Sequence, residues 1–368
     1  MRDEADAGNM PSLARKGRGA LTNPPVRFDS QVISPFDDGW DTLAAEFGEL
    51  PKLATTLTRD ATKSAISWNS SPDIGFDRAV NPYRGCEHGC IYCYARPSHA
   101  YLGLSPGLDF ESRLFYKPQA AKLLAAELRK KGYSCRPIAL GSNTDPYQPV
   151  ERKLGITRAI LEVLRDFRHP VTIDTKSAQI QRDVDIQGEM ARDKLAMAAI
   201  SVTTLDRGLA RVKEPRAATP ERRLETIAAL AAAGVPAGVM SAPMIPALND
   251  SEMEQILERA RAAGATSAAY TLLRLPLELK DLFKEWLETH FPAKAAHVLS
   301  LVAQTHGGRL YDSTWSKRMT GSGAYADVLR LRFERACRRL GFNERTTQKL
   351  DASRFTPPPQ KGDQLALF

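Results

Sequence analysis

Three cysteines stand within eight positions of the stretch "NPYRGCEHGCIYCYARP", residues 81–97: Cys86, Cys90 and Cys93. The whole chain has only five. Their spacing, Cys-x3-Cys-x2-Cys, lets three thiolates from one loop converge on a single inorganic centre. A structural zinc site asks for four ligands, usually a Cys-x2-Cys knuckle facing a second one. Here Cys135 and Cys337 are isolated in the sequence, and His88 reads as a polar turn residue rather than a fourth ligand. A four-iron cluster on four cysteines serves electron transfer. On three cysteines, one iron stays open to an external ligand, and that vacancy is where a substrate or cofactor binds.

Composition narrows the setting for such chemistry. The 368 residues are 43% apolar and 26% charged, as in ordinary globular chains. No apolar run reaches bilayer length, and the opening "MRDEADAGNM" carries acids where a signal peptide needs basic and then apolar residues. The chain therefore reads as cytoplasmic, with no membrane partner. In a reducing compartment an odd, clustered set of thiols points to metal or redox chemistry rather than to disulfides. The net charge of +8 favours polyanionic partners.

The elements that must position the cysteines follow from an alternation of patterns. Short apolar or β-branched runs begin at Pro137, Val171, Met197, Pro236 and Thr266. Between them lie amphipathic stretches such as "GITRAILEVLRDF" and "PERRLETIAALAAAGV", the latter stopping near a glycine. Strand followed by helix, repeated, predicts parallel βα units. With one more strand just before Cys86 there are about six, which predicts an α/β fold, a partial (β/α)6 TIM-type barrel, with a helical C-terminal extension and flexible termini. The expected divisions are a flexible basic arm at 1–65 with a short helix near "DTLAAEFGEL", the barrel at 66–291, a helical basic extension at 292–349 and a flexible tail at 350–368.

The cysteine spacing, with Tyr92 just before the third cysteine, resembles the cluster motif of radical S-adenosylmethionine (SAM) enzymes. Together with "GSNTDPYQPVE", "TKSAQIQRDVD" and "EPRAATPERRLETI", in order over residues 66–290, it is similar to the subgroup related to spore photoproduct lyase. The resemblance implies a [4Fe-4S] cluster on Cys86, Cys90 and Cys93, with SAM chelated to the open iron and cleaved to a 5′-deoxyadenosyl radical. It also implies an electron donor such as flavodoxin or ferredoxin. Ser142, Asn143 and Asp145 are the implied contacts to the SAM amino group, and Lys176 and Ser177 to its ribose or carboxylate. Arg216 is chosen for the carboxylate because a guanidinium can grip it with two prongs, a surface pair with Glu214 being the rival reading. Arg274, after the sixth strand, is placed to reach a substrate. One departure matters: the subgroup carries a hydrogen-donating cysteine after its second strand, and alignment on Asp145 puts Ser142 there. A serine O–H bond is too strong for that task. The catalytic residues proper stay unassigned.

The tail "QLALF" follows "TPPPQKGD" and resembles the peptide by which bacterial repair proteins dock on the DNA sliding clamp. Leu367 and Phe368 would fill an apolar pocket, with Leu365 beside them and Gln364 anchoring by hydrogen bonds. Arg332, Arg335 and Arg339 share one helix face, which reads as a solvated face or a phosphate-contacting stripe. The leading expectation is a radical SAM enzyme acting on DNA or a nucleobase lesion while docked on the clamp. The alternatives are the same chemistry on RNA or a peptide, and a non-catalytic iron–sulfur sensor bound to the clamp.

Overall fold

The computed structural model describes residues 14–29, 52–343 and 349–359. Six parallel strands, β3 (Arg78–Val80), β6 (Ile138–Leu140), β7 (Val171–Thr175), β8 (Ala196–Ser201), β9 (Ala237–Met244) and β10 (Ser267–Leu272), form one sheet in that spatial order. β2 (Ile66–Trp68) pairs antiparallel with β3 at one edge, Ile66 opposite Val80, and β10 is the other edge. This is the expected partial barrel. Each parallel return requires a crossover, and the apolar stripes supply it. In the helix Ile156–Asp166, Ile156, Ile160, Leu161 and Leu164 are buried, spaced to cover one face. They meet Ile138, Leu140, Val171 and Ile173 of the strands in one core. The helix Pro220–Ala232 starts on a Thr219 cap with proline in its first turn, and Gly234, at φ +75°, follows its end.

Burial alternates along β7 and β8. Residues such as Ile173 and Ile200 therefore pack outward against helices, whereas Asp174 and Ser201 line the hollow of the curved sheet. Polar side chains tolerated there mark a hollow meant for a ligand. A second, small sheet, β1 (Thr56–Arg59), β5 (Arg113–Tyr116) and β4 (Tyr83–Arg84), grips the chain just ahead of Cys86 through the pair Tyr83–Tyr116.

Three expectations change. Over 14–29 the basic arm is packed, not mobile: Arg18 donates to the carbonyls of Glu111, at 2.5 Å, and Leu53, at 2.7 Å, and Ala20 is fully buried. Its glycines and small residues fit where a bulkier chain would not. The tail is pinned as far as Pro358, because Phe355 packs on Tyr133 and His169 and Arg129 donates to the Pro358 carbonyl at 2.7 Å. These contacts lie at the N-terminal ends of β6 and β7, the face away from the strand-end loops. The arginine stripe on Ala324–Leu340 is partly neutralised: Arg332 pairs with Glu254 at 2.6 Å and Arg339 with Glu258 at 2.5 Å, joining two helices, while Arg335 makes no ion pair among the described residues. The expected short helix at 41–50 and the peptide Gln364–Phe368 lie outside the described residues. Among the described residues no helix is long and apolar enough to cross a membrane.

Candidate active site

The loop carrying the cysteines leaves β4 through Gly85, whose φ of +76° and crowded surroundings exclude a side chain: a Cβ there would lie 2.8 Å from the Phe110 carbonyl oxygen. Its turns are closed by Cys93 N–H donating to the Cys90 carbonyl at 3.2 Å and Arg96 N–H to that of Cys93 at 3.1 Å. From beneath, Arg96 donates to the carbonyls of Cys90 at 2.9 Å, Pro106 at 3.1 Å and Gly107 at 2.9 Å, and pairs with Glu111. Glu111 in turn accepts from the Gly19 and Ala20 amides at 2.9 and 2.8 Å. One buried ion pair thus ties the loop to the packed arm. From above, Gln148 accepts from the Glu87 amide at 2.8 Å, and Thr144 donates to the Gly85 carbonyl at 3.0 Å.

Cys86, Cys90 and Cys93 line one cavity of about 440 Å³ at the C-terminal ends of the strands. Burial pushes the Cys86 thiol well above its ordinary value. It also carries the Cys90 thiol up to about 12, against the pull of Lys176. Thiols so held give up their protons readily only to a metal centre, which replaces the missing solvation. The donor set therefore fits an iron–sulfur cluster. Among the described residues no three Cys, His, Asp or Glu side chains close on a single ion. A cubane instead takes one thiolate per iron.

Ser142, Asn143, Asp145 and Lys176 line the same cavity. Asp145 is saturated: it accepts from Thr175 Oγ1 at 2.7 Å and from the Tyr147 and Lys176 amides at 2.9 and 3.0 Å, with His88 Nδ1 3.2 Å away. Burial opposes its charge, yet His88, Thr175 and the Lys176 amide hold its carboxyl well below the usual range. It positions three loops. Ser142 Oγ accepts from Asn81 at 3.1 Å, and Asn143 N–H donates to Asn81 Oδ1 at 3.0 Å. Ser177 caps the turn Ala178–Asp183, accepting from the Gln179 amide at 3.2 Å, and is not among the cavity-lining residues. Arg216 is displaced as well. It faces Glu87 at 3.1 Å and Thr55, outside the cavity.

Glu214, expected at the surface beside Arg216, is buried and pairs with Arg223 at 2.5 Å. It also accepts from Thr203 at 2.9 Å and from the Tyr92 hydroxyl. Burial raises its carboxyl above the ordinary value despite Arg223. Behind the loop Tyr92 lies between Lys176 and Lys213, whose Nζ atoms are 5.9 and 5.8 Å from its ring centre. Burial lowers Lys213 to about 7. Cys135 precedes β6 and Cys337 sits on Ala324–Leu340, so neither reaches the cavity.

Asp174, Tyr94 and Arg318 also line the cavity, and of these Asp174 and Arg318 were not singled out from the sequence. Asp174 makes no ion pair among the described residues, and burial raises it to about 6, with Lys176 working the other way. The signal was an acid at an inward position of an otherwise uncharged strand.

Comparison with known proteins places this geometry. The model of the radical SAM superfamily matches residues 80–260. An uncharacterized protein of Mycobacterium tuberculosis is 38% identical over 235 residues, 62% of this chain and 68% of that protein. Another, from Methanocaldococcus jannaschii, is 26% identical over 59% of this chain and 78% of its own length. Spore photoproduct lyase complexed with dinucleoside spore photoproduct superposes with a TM-score of 0.56 at 13% identity, covering 78% of this chain and 80% of that one. That is a shared fold.

Proposed function

We propose, since this chain belongs to the radical SAM superfamily, that it acts on DNA or a nucleobase lesion while docked on the DNA sliding clamp. Members of the superfamily use a [4Fe-4S] cluster and SAM, and this enzyme uses both. Bound together, they supply reductive cleavage of the sulfonium to a 5′-deoxyadenosyl radical that abstracts hydrogen, the electron coming from a donor such as flavodoxin or ferredoxin.

The chain's own residues divide the remaining work. Cys86, Cys90 and Cys93 would hold the cluster as thiolates. Ser142, Asn143 and Lys176 line the space for SAM, Lys176 offering a cation for its carboxylate. Asp145 acts by fixing the Lys176 backbone, and Tyr92 and Ile91, both buried, keep water from the back of the loop. Among the described residues the only thiols lining the cavity are those of the loop. A repair reaction here therefore returns hydrogen to its product from a group other than a fourth thiol.

The observation that carries the nucleic-acid reading is one cation of this cavity: Arg274 faces it with no acid in ion-pair range among the described residues, on a chain of net charge +8. Incubating the reduced holoprotein and SAM with deuterated DNA oligonucleotides should move deuterium into 5′-deoxyadenosine. Transfer from RNA or from a peptide, with none from DNA, would reassign the substrate.

Docking is supported by the tail peptide Gln364, Leu365, Leu367 and Phe368 beyond a chain held as far as Pro358. A short apolar anchor pair dominates such contacts. Removing residues 364–368 should abolish clamp binding in a pull-down and leave SAM cleavage intact. Equal binding by the truncated protein would sink the docking proposal.

A further inference from the structure

Arg274, half-buried, differs from the other arginines around the site. Arg96 is paired with Glu111, Arg223 with Glu214, and Arg318, in the same cavity, with Asp73 at 2.5 Å. Arg274 has a buried Nε without a hydrogen-bond partner, and one Nη donates to the thioether of Met319 at 3.1 Å, a weak acceptor. Its remaining support is the Tyr94 ring, whose centre lies 5.1 Å from the guanidinium carbon. An enclosed cation without an anion is costly, and the cost is offset when a ligand brings one.

The position of Arg274 indicates which ligand. It follows β10, the open edge of the partial barrel, and the Leu272 amide donates to the Met319 carbonyl at 2.9 Å, so the extension runs along that edge. The same short segment holds Trp315, exposed at 57%, and Lys317. The residues placed for SAM, Ser142, Asn143 and Lys176, follow β6 and β7 instead. A cation at the seam, in contact with a segment that also carries an exposed indole and a lysine, fits a strand whose phosphates run past the mouth and whose bases can stack.

We propose that Arg274 binds a backbone phosphate of the substrate strand, adjoining the nucleotide that enters the cavity. This rests on the nucleic-acid reading given above and specifies how the strand is held. The guanidinium offers the phosphate its terminal Nη groups, one of them held only by the weak Met319 acceptor, in a planar fork that an ammonium does not reproduce.

The test uses full-length, cluster-loaded protein under anaerobic conditions, with a short single-stranded DNA oligonucleotide followed by fluorescence anisotropy and SAM followed by equilibrium dialysis. Arg274→Gln should weaken oligonucleotide binding about tenfold, the size of one charge-assisted hydrogen-bonded contact. The slope of log affinity against log salt should fall by about one, with SAM affinity unchanged. Arg274→Lys should keep the slope and lose part of the affinity. Replacing phosphodiesters one at a time by neutral methylphosphonate should reveal one linkage whose loss weakens the wild type and not Arg274→Gln. Iron content equal to wild type shows that the variants fold. Loss of SAM affinity with oligonucleotide binding intact would transfer Arg274 to the SAM carboxylate and overturn the proposal. So would unchanged binding of both ligands. If wild type binds no oligonucleotide at all, the nucleic-acid reading itself fails, and the phosphate site with it.

Discussion

The variant with Cys86, Cys90 and Cys93 all changed to alanine should be isolated colourless, without iron, and should form no 5′-deoxyadenosine from SAM, while its far-ultraviolet dichroism stays that of the wild type. The loop is shaped by Arg96, Glu111 and backbone hydrogen bonds, not by its thiols. The barrel core around Ile138, Ile173 and Leu161 contains none of the three. Removing a small buried thiol should cost about 1 kcal/mol per site. Single substitutions should each lower iron content sharply, because two thiolates do not retain a cubane. By contrast, Cys135→Ala and Cys337→Ala should keep iron and SAM cleavage near normal, as both lie away from the cavity. Retention of full iron in the triple variant would contradict the assignment of the loop as the ligand set.

Glu111→Ala should have the largest effect on stability of any single change near the site. Its carboxylate is fully buried and accepts from Arg96 and from the amides of Gly19 and Ala20. Removing it leaves the Arg96 charge enclosed and two amides unsatisfied. Breaking a buried pair from one side costs about 3–5 kcal/mol. Released from Glu111, Arg96 no longer fixes the Cys90 carbonyl, so the variant should also load less iron under the same reconstitution. Denaturant titration of both proteins gives the comparison. A loss below about 1 kcal/mol would mean that the packed arm and Arg96 contribute little to holding the loop.

The barrel was legible because its signals are local. Apolar periodicity switches between strand and helix along the chain, and the glycines after Ala233 and Ala263 mark where helices stop. The cysteine loop was legible for the same reason, with three ligands inside eight residues. What escaped the sequence are partnerships between residues far apart. Tyr92 with Glu214, Glu111 with residues 18–20, and Gln148 with Glu87 each join segments that only the folded chain brings together. The Arg216 expectation failed on geometry. Glu214 ends the helix Arg207–Lys213 pointing inward toward Arg223, while the chain turns at Pro215 and carries Arg216 to Glu87. For the arginine stripe, periodicity shows that Arg332, Arg335 and Arg339 share a face but not that Glu254 and Glu258 pair with the first and last of them.

The most direct test is to incubate the reduced, cluster-loaded protein anaerobically with SAM and quantify 5′-deoxyadenosine by chromatography and mass spectrometry. The account predicts 5′-deoxyadenosine that depends on reductant and is abolished in the triple cysteine variant. An intact, reducible four-iron cluster that binds SAM and yields no 5′-deoxyadenosine, with or without DNA, would contradict it.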